Sequence, residues 1–133
     1  MRTALAVTGL VALIGTLAAL VVQADTSKLP PASQRKHVTY AKDIKLIFDR
    51  HCVRCHGTDK QKGRFRLDSL ESALKGGEDG VAIQPSDSAR SMLVLNVAYL
   101  GDREMRMPPS DKGSQLTVEQ IGLIRAWIDQ GAK

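Results

Sequence analysis

The chain contains two cysteines, Cys52 and Cys55, and only Val53 and Arg54 separate them. A bridge across so short a loop takes little entropy from an unfolded chain, so a disulfide framework is not what holds this protein together. The chain has 133 residues and few aromatics: one Trp, two Tyr and two Phe. A domain of that size buries a modest share of its surface and commonly leans on a bridge, a metal or a cofactor. With bridges set aside, the residue after the second cysteine becomes decisive. It is His56.

Cys52-Val53-Arg54-Cys55-His56 is the pattern of c-type haem attachment. Two thiols three residues apart can add to the two vinyl groups of one porphyrin and form thioethers. The histidine that follows is then held against the iron as its proximal ligand. Two other chemistries share the Cys spacing. A thioredoxin-like redox pair follows a strand in a βαβ setting, whereas an amphipathic helical pattern precedes this motif. A structural zinc site takes four N or S ligands, usually as two spaced pairs. His37, His51 and His56 are the only histidines, and they supply no second pair. The residues therefore favour one covalent haem c on Cys52 and Cys55, with His56 on the iron.

Thioether attachment takes place outside the cytoplasm, and the N-terminus agrees with that location. Arg2 precedes an uncharged, Leu/Val/Ala-rich run from Ala4 to Val22, followed by Gln23 and Ala24. Charged head, apolar body and small residues at the cleavage site form the signal-peptide pattern. The run is also just long enough to span a bilayer. Residues 1–24 are expected to be either a cleaved signal peptide or a retained membrane anchor, with the rest of the chain on the far side of the cytoplasmic membrane. Nucleic acid is not an expected partner there, and a membrane is one only if the anchor stays.

Residues 25–39 are polar and carry paired prolines, Pro30 and Pro31, which reads as a flexible linker. The domain is expected over residues 40–133. Tyr40, Ile44, Ile47 and Phe48 share one helical face, with Thr39 placed to cap it. Asp68 to Glu71 reads as a capping start for a short helix that stops at Gly76-Gly77. Asp87 or Ser88 caps a third, carrying Met92, Leu93, Leu95 and Tyr99, and Gly101 to Ser114 is a loop. Thr117 and Gln120 form a capping box for the last helix, with Leu116 and Ile121 as a hydrophobic staple. Ile121, Ile124 and Ile128 make its buried stripe and Gly131 ends it. No stretch alternates as a strand does. The expected fold is all-α, about four helices around one haem.

The sixth iron ligand has to come from elsewhere in the chain. Met107 is the best placed: it lies in the loop directly before Pro108-Pro109, where the residue before proline is pushed to extended conformations and proline fixes the chain beyond it. Met105 is the near rival, without the proline behind it. Met92 suits packing on its helix. His37 sits in the linker, and His51 adjoins Cys52 on the proximal side.

Taken in order, these residues carry a resemblance. HCVRCHG at 51–57, PSD at 85–87, MPP at 107–109 and LTVEQIGLIRAWIDQGA at 116–132 are similar to class I cytochromes c, in particular to the planctomycete-type cytochrome c domain. The likeness runs from about Val38 to Ala132. It implies haem c on Cys52 and Cys55, His56 proximal, Met107 distal, and helices before the motif and at the C-terminus that cross. The wider class usually places a Gly-Pro pair after the motif, whose carbonyl receives the proximal histidine's Nδ1–H. Here Gly63-Arg64-Phe65-Arg66-Leu67 stands in that place, so another carbonyl has to serve.

A His/Met pair leaves the iron no open position, so the expected role is a one-electron carrier and not an enzyme. A five-coordinate haem module that binds or senses a small gas is the alternative, and Met107 decides between them. Charge is uneven along the chain. Lys28 to Arg66 holds eleven Lys/Arg against three Asp/Glu, and Leu67 to Lys133 holds seven against ten. Basic residues near the motif fit redox protein partners with an acidic docking face, or they neutralise the haem propionates, as Lys60, Lys62, Arg64 and Arg66 could.

Overall fold

Thr39 starts the first helix as its sequence predicts: its hydroxyl accepts the Lys42 N–H at 3.3 Å, and Asp43 accepts the Thr39 N–H at 2.8 Å. The computed structural model describes residues 24–133, so the signal or anchor expected over 1–24 lies, but for Ala24, outside the described residues. The opening turn is a wide π-helix, Tyr40–Ile44, which runs on as α1, Lys45–His51. Ser69 caps α2, Leu70–Lys75, which ends at Gly76 with φ 83°. α3 is Met92–Val97 and α4 is Val118–Asp129. Single 3-10 turns lie at Thr26–Lys28, Lys62–Arg64, Ser88–Arg90 and Arg103–Met105. No strand occurs among the described residues, and no described helix is long and apolar enough to cross a membrane.

The first helix and α4 meet through three aromatic rings. Tyr40 and Phe48 come from one and Trp127 from the other, and each pair of ring centroids is 6.1 Å apart. Phe48 and Trp127 are fully buried, as are Ile124 and Ile128 on α4. Truncating one such aromatic generally costs about 3–5 kcal/mol, against a total of about 5–15 kcal/mol for a domain. This crossing is therefore the anchor of the fold. Both ends of α4 are closed. The capping box pairs Thr117 and Gln120 reciprocally. At the other end Ala132 N–H donates to Trp127 O at 3.0 Å and Gly131 N–H to Ile128 O at 2.9 Å, a Schellman motif with Gly131 at φ 100°. Tyr40 N–H and the Trp127 indole both donate to Lys133 O, which ties the end of α4 back to the first helix.

Three features differ from the sequence reading. Residues 25–39, read as a flexible linker, lie against the domain: Leu29 and Val38 are buried, Ser33 N–H donates to Gly122 O at 2.9 Å, and Arg125 donates to Pro30 O. Gly122 makes the close approach possible, since a Cβ there would stand 2.8 Å from Pro31 O. Met92, expected to pack, is 48% exposed, because α3 begins at that residue and its buried face falls on Leu93, Val94 and Val97. Tyr99 lies beyond α3 in the left-handed region at φ 60°, and not on the helix.

Candidate functional site

Helix α1 delivers the Cys-Val-Arg-Cys-His stretch at its C-terminal end, with Cys52 as the cap. The chain then curls round one carbonyl: Cys55 N–H and His56 N–H both donate to Cys52 O, at 3.0 and 2.9 Å. That turn brings two free, half-buried thiols and an imidazole together. Gly57 lets it close, because a Cβ at that position would lie 2.5 Å from Val53 O. Burial pushes the Cys52 thiol up to about 12, and the neighbouring Cys55 adds to the shift. A redox-active dithiol works through a lowered thiol pKa, so Cys52 is poorly suited to that chemistry.

His56 is oriented by a backbone carbonyl. Its Nδ1 lies 3.2 Å from Phe65 O, and the two rings meet edge to face at 5.7 Å. Phe65 therefore supplies the acceptor that the residues after the motif left unassigned. Burial, the largest influence, holds His56 below the ordinary imidazole value, so the ring is neutral near neutral pH. With Nδ1–H donating to Phe65 O, the lone pair sits on Nε2, the nitrogen left for a metal. The main chain locks the same place: Leu67 N–H donates to His56 O at 2.8 Å, and the buried Tyr40 hydroxyl donates to Leu67 O at 2.9 Å.

Met107 is held by α3 and the residues just after it. Its N–H donates to Asn96 O at 3.1 Å, and the Tyr99 hydroxyl donates to Pro108 O. The Arg106 guanidinium stacks over the Tyr99 ring, 5.4 Å from its centroid. The Met107–Pro108 peptide bond is cis. Met107 packs half-buried against the core, while Met105 closes the 3-10 turn that Asp102 caps. Sequence reasoning missed Asn96 and Tyr99, because one acts through its backbone carbonyl and the other through a reach of nine residues. His37 is exposed, and His51 is engaged by α4, receiving the Gln120 amide N–H at 3.2 Å.

These groups fit a covalently attached haem. Two free thiols lie on one turn beside a neutral histidine of fixed tautomer, and a soft thioether is packed on a braced loop. Two polar atoms buried without a protein partner, Asn96 Oδ1 and Arg106 Nε, belong to the residues that hold or adjoin Met107. Among the described residues, no three His, Cys, Asp or Glu side chains gather as a site for a free metal ion. Arg66, grouped above with the basic side chains available to propionates, is instead half-buried and paired with Asp68, at 2.9 and 2.6 Å.

Compared with known families, residues 52–111 match the family model described as Planctomycete cytochrome C. That stretch contains both cysteines, His56, Phe65 and Met107. Neither the curated proteins nor the solved structures include a match to the chain.

Proposed function

We propose that this chain, which carries a planctomycete-type cytochrome c domain over residues 52–111, is a one-electron carrier with a single haem c outside the cytoplasmic membrane. Haem-based electron transfer follows from the family; the single cofactor, its ligands and its setting are our reading. Cys52 and Cys55 would hold the porphyrin by thioethers, and His56 Nε2 and the Met107 sulfur would ligate its iron. When bound, the haem supplies the iron couple that gains and loses one electron. The observation that carries this reading is the His56 Nδ1 contact to Phe65 O beside two free thiols. It fixes the tautomer and raises the basicity of the ligating nitrogen. With Met107 as the second protein ligand, no position would stay open for a substrate or a gas.

The test uses the full chain, expressed with its first 24 residues in a bacterium that has haem-attachment machinery. Coloured protein should be recovered from outside the cytoplasmic membrane or attached to its outer face. It should titrate reversibly as a single one-electron couple. Recovery from the cytoplasm sinks the location, and an irreversible or two-electron titration sinks the carrier.

Partners are redox proteins with an acidic docking face. Arg54, Lys60, Lys62 and Arg64 flank the attachment turn, are exposed, and form no ion pair among the described residues. Free surface charge of one sign speeds encounter with a surface of the other, by about tenfold or more. Salt screens it, with a Debye length of about 8–10 Å at ordinary ionic strength. Bimolecular electron transfer to an acidic redox protein should slow by roughly tenfold from low to high salt. A rate that stays flat removes the basic docking face.

A further inference from the structure

The carbonyl that aims His56 belongs to a loop with little structure of its own. Lys62–Arg64 is a single 3-10 turn, and Gly63 and Arg64 both stand in the left-handed region, at φ 62° and 54°. The bond it serves is long for an N–H···O bond, 3.2 Å, so a small shift of Phe65 breaks it. Its two ends are tied to the attachment turn, Lys62 N–H donating to Cys55 O at 3.0 Å and Leu67 N–H to His56 O at 2.8 Å, and its middle is held from outside. The turn after α2 lies against it: Glu78 N–H donates to Gly63 O at 2.8 Å. The approach is closest at Gly77, where a Cβ would stand 2.4 Å from Gly63 O and 2.9 Å from Phe65 Cβ. Gly77 is not in the left-handed region, so backbone freedom is not why glycine stands there. Room for the neighbouring loop is.

We infer that Gly77 is a positioning residue for the proximal histidine: its missing side chain lets the Gly77–Gly80 turn brace the 63–65 loop and keep the Phe65 carbonyl on His56 Nδ1. This rests on the reading above, in which His56 ligates the haem iron. The turn is itself closed, with Gly77 N–H donating to Gly80 O at 3.0 Å and Gly80 N–H to Gly77 O at 3.1 Å. A methyl group at Gly77 would force turn and loop apart by about 1 Å before ordinary van der Waals contact is restored. Residues 78–80 are exposed and can give outward, but Gly77 and Phe65 are half-buried in direct contact, so part of the displacement falls on the Phe65 carbonyl. A weaker bond from Nδ1–H to the carbonyl makes the imidazole a poorer electron donor, which favours the reduced iron.

The experiment compares the haem-loaded wild type with Gly77→Ala and Gly80→Ala. At Gly80, φ is 95° and a Cβ would meet nothing within 4 Å, so alanine strains the same turn without pressing on the loop. Both variants should lower stability. Only Gly77→Ala should move the reduction potential to a more positive value and speed exchange of the His56 Nδ1–H in NMR of the reduced protein. An unmoved potential and exchange rate in Gly77→Ala, or equal changes in Gly80→Ala, overturn the inference. Should Gly77→Ala fail to accumulate, the wild type decides. The Glu78 amide and the His56 Nδ1–H should be protected from exchange together, and a freely exchanging Glu78 amide beside a protected Nδ1–H overturns the brace. A wild type that holds no haem removes the carrier reading and this inference together, whereas a loaded wild type with an indifferent Gly77→Ala removes only the inference.

Discussion

Acid–acetone treatment of the chain, produced with working haem-attachment machinery, should leave all the colour on the protein, and a Cys52→Ser, Cys55→Ser double variant should release all of it. The contrast is large because a thioether is a covalent bond that acid and organic solvent do not break. Ligation by His56 and Met107 alone does not survive protonation and unfolding. Both thiols are free and half-buried, and they lie on one turn closed round the Cys52 carbonyl. Each single variant should keep its haem through the remaining link, and its pyridine haemochrome should report one unsaturated vinyl where the wild type reports none. Haem extractable from the wild type, or a colourless wild type, ends the covalent reading.

Much of this architecture was legible in the sequence because its signals are local. The Thr117–Gln120 capping box, the Thr39 cap and the Gly131 stop each depend on residues within one turn of one another, and each stands where the pattern puts it. The attachment turn is equally local. What could not be read depends on backbone atoms or on approach across the fold. The acceptor for His56 is a main-chain carbonyl, and any residue at position 65 carries one. Gly77 looks like a helix stop beside Gly76; only the packed loop reveals that a Cβ there has no room. Residues 25–39 are irregular and polar, which marks loops whether or not they are held. Two apolar side chains, Leu29 and Val38, and the glycine at 122 on α4 keep this one in contact with the domain. The exposed Met92 follows from where α3 begins: Asp87, read as a cap for this helix, instead caps the 3-10 turn Ser88–Arg90, and α3 starts only after Ser91.

Met107→Ala should abolish the sulfur-to-iron charge-transfer band of the oxidised protein, lower the reduction potential, and open the iron to carbon monoxide. Met105→Ala should leave all three unchanged. The sign of the shift follows from the ligand. A thioether is soft and favours reduced iron, so His/Met ligation raises the potential and losing the sulfur lowers it. The choice between the two methionines rests on how the loop is held. The Met107 main chain is bonded to Asn96 O, and the next residue is bonded to the Tyr99 hydroxyl, so both fixings come from α3 or the residues just past it. Met107 is packed against the core, whereas Met105 ends a turn closed on itself by Asp102. A Tyr99→Phe variant keeps the ring under Arg106 and removes only the bond to Pro108, so it should weaken the band without erasing it. Loss of the band in Met105→Ala instead shifts the ligand by two residues and leaves the carrier intact. A wild type that shows no such band and binds carbon monoxide readily has an open iron. The gas-binding module then replaces the carrier, because an iron with one protein ligand is built to take up a second from solution.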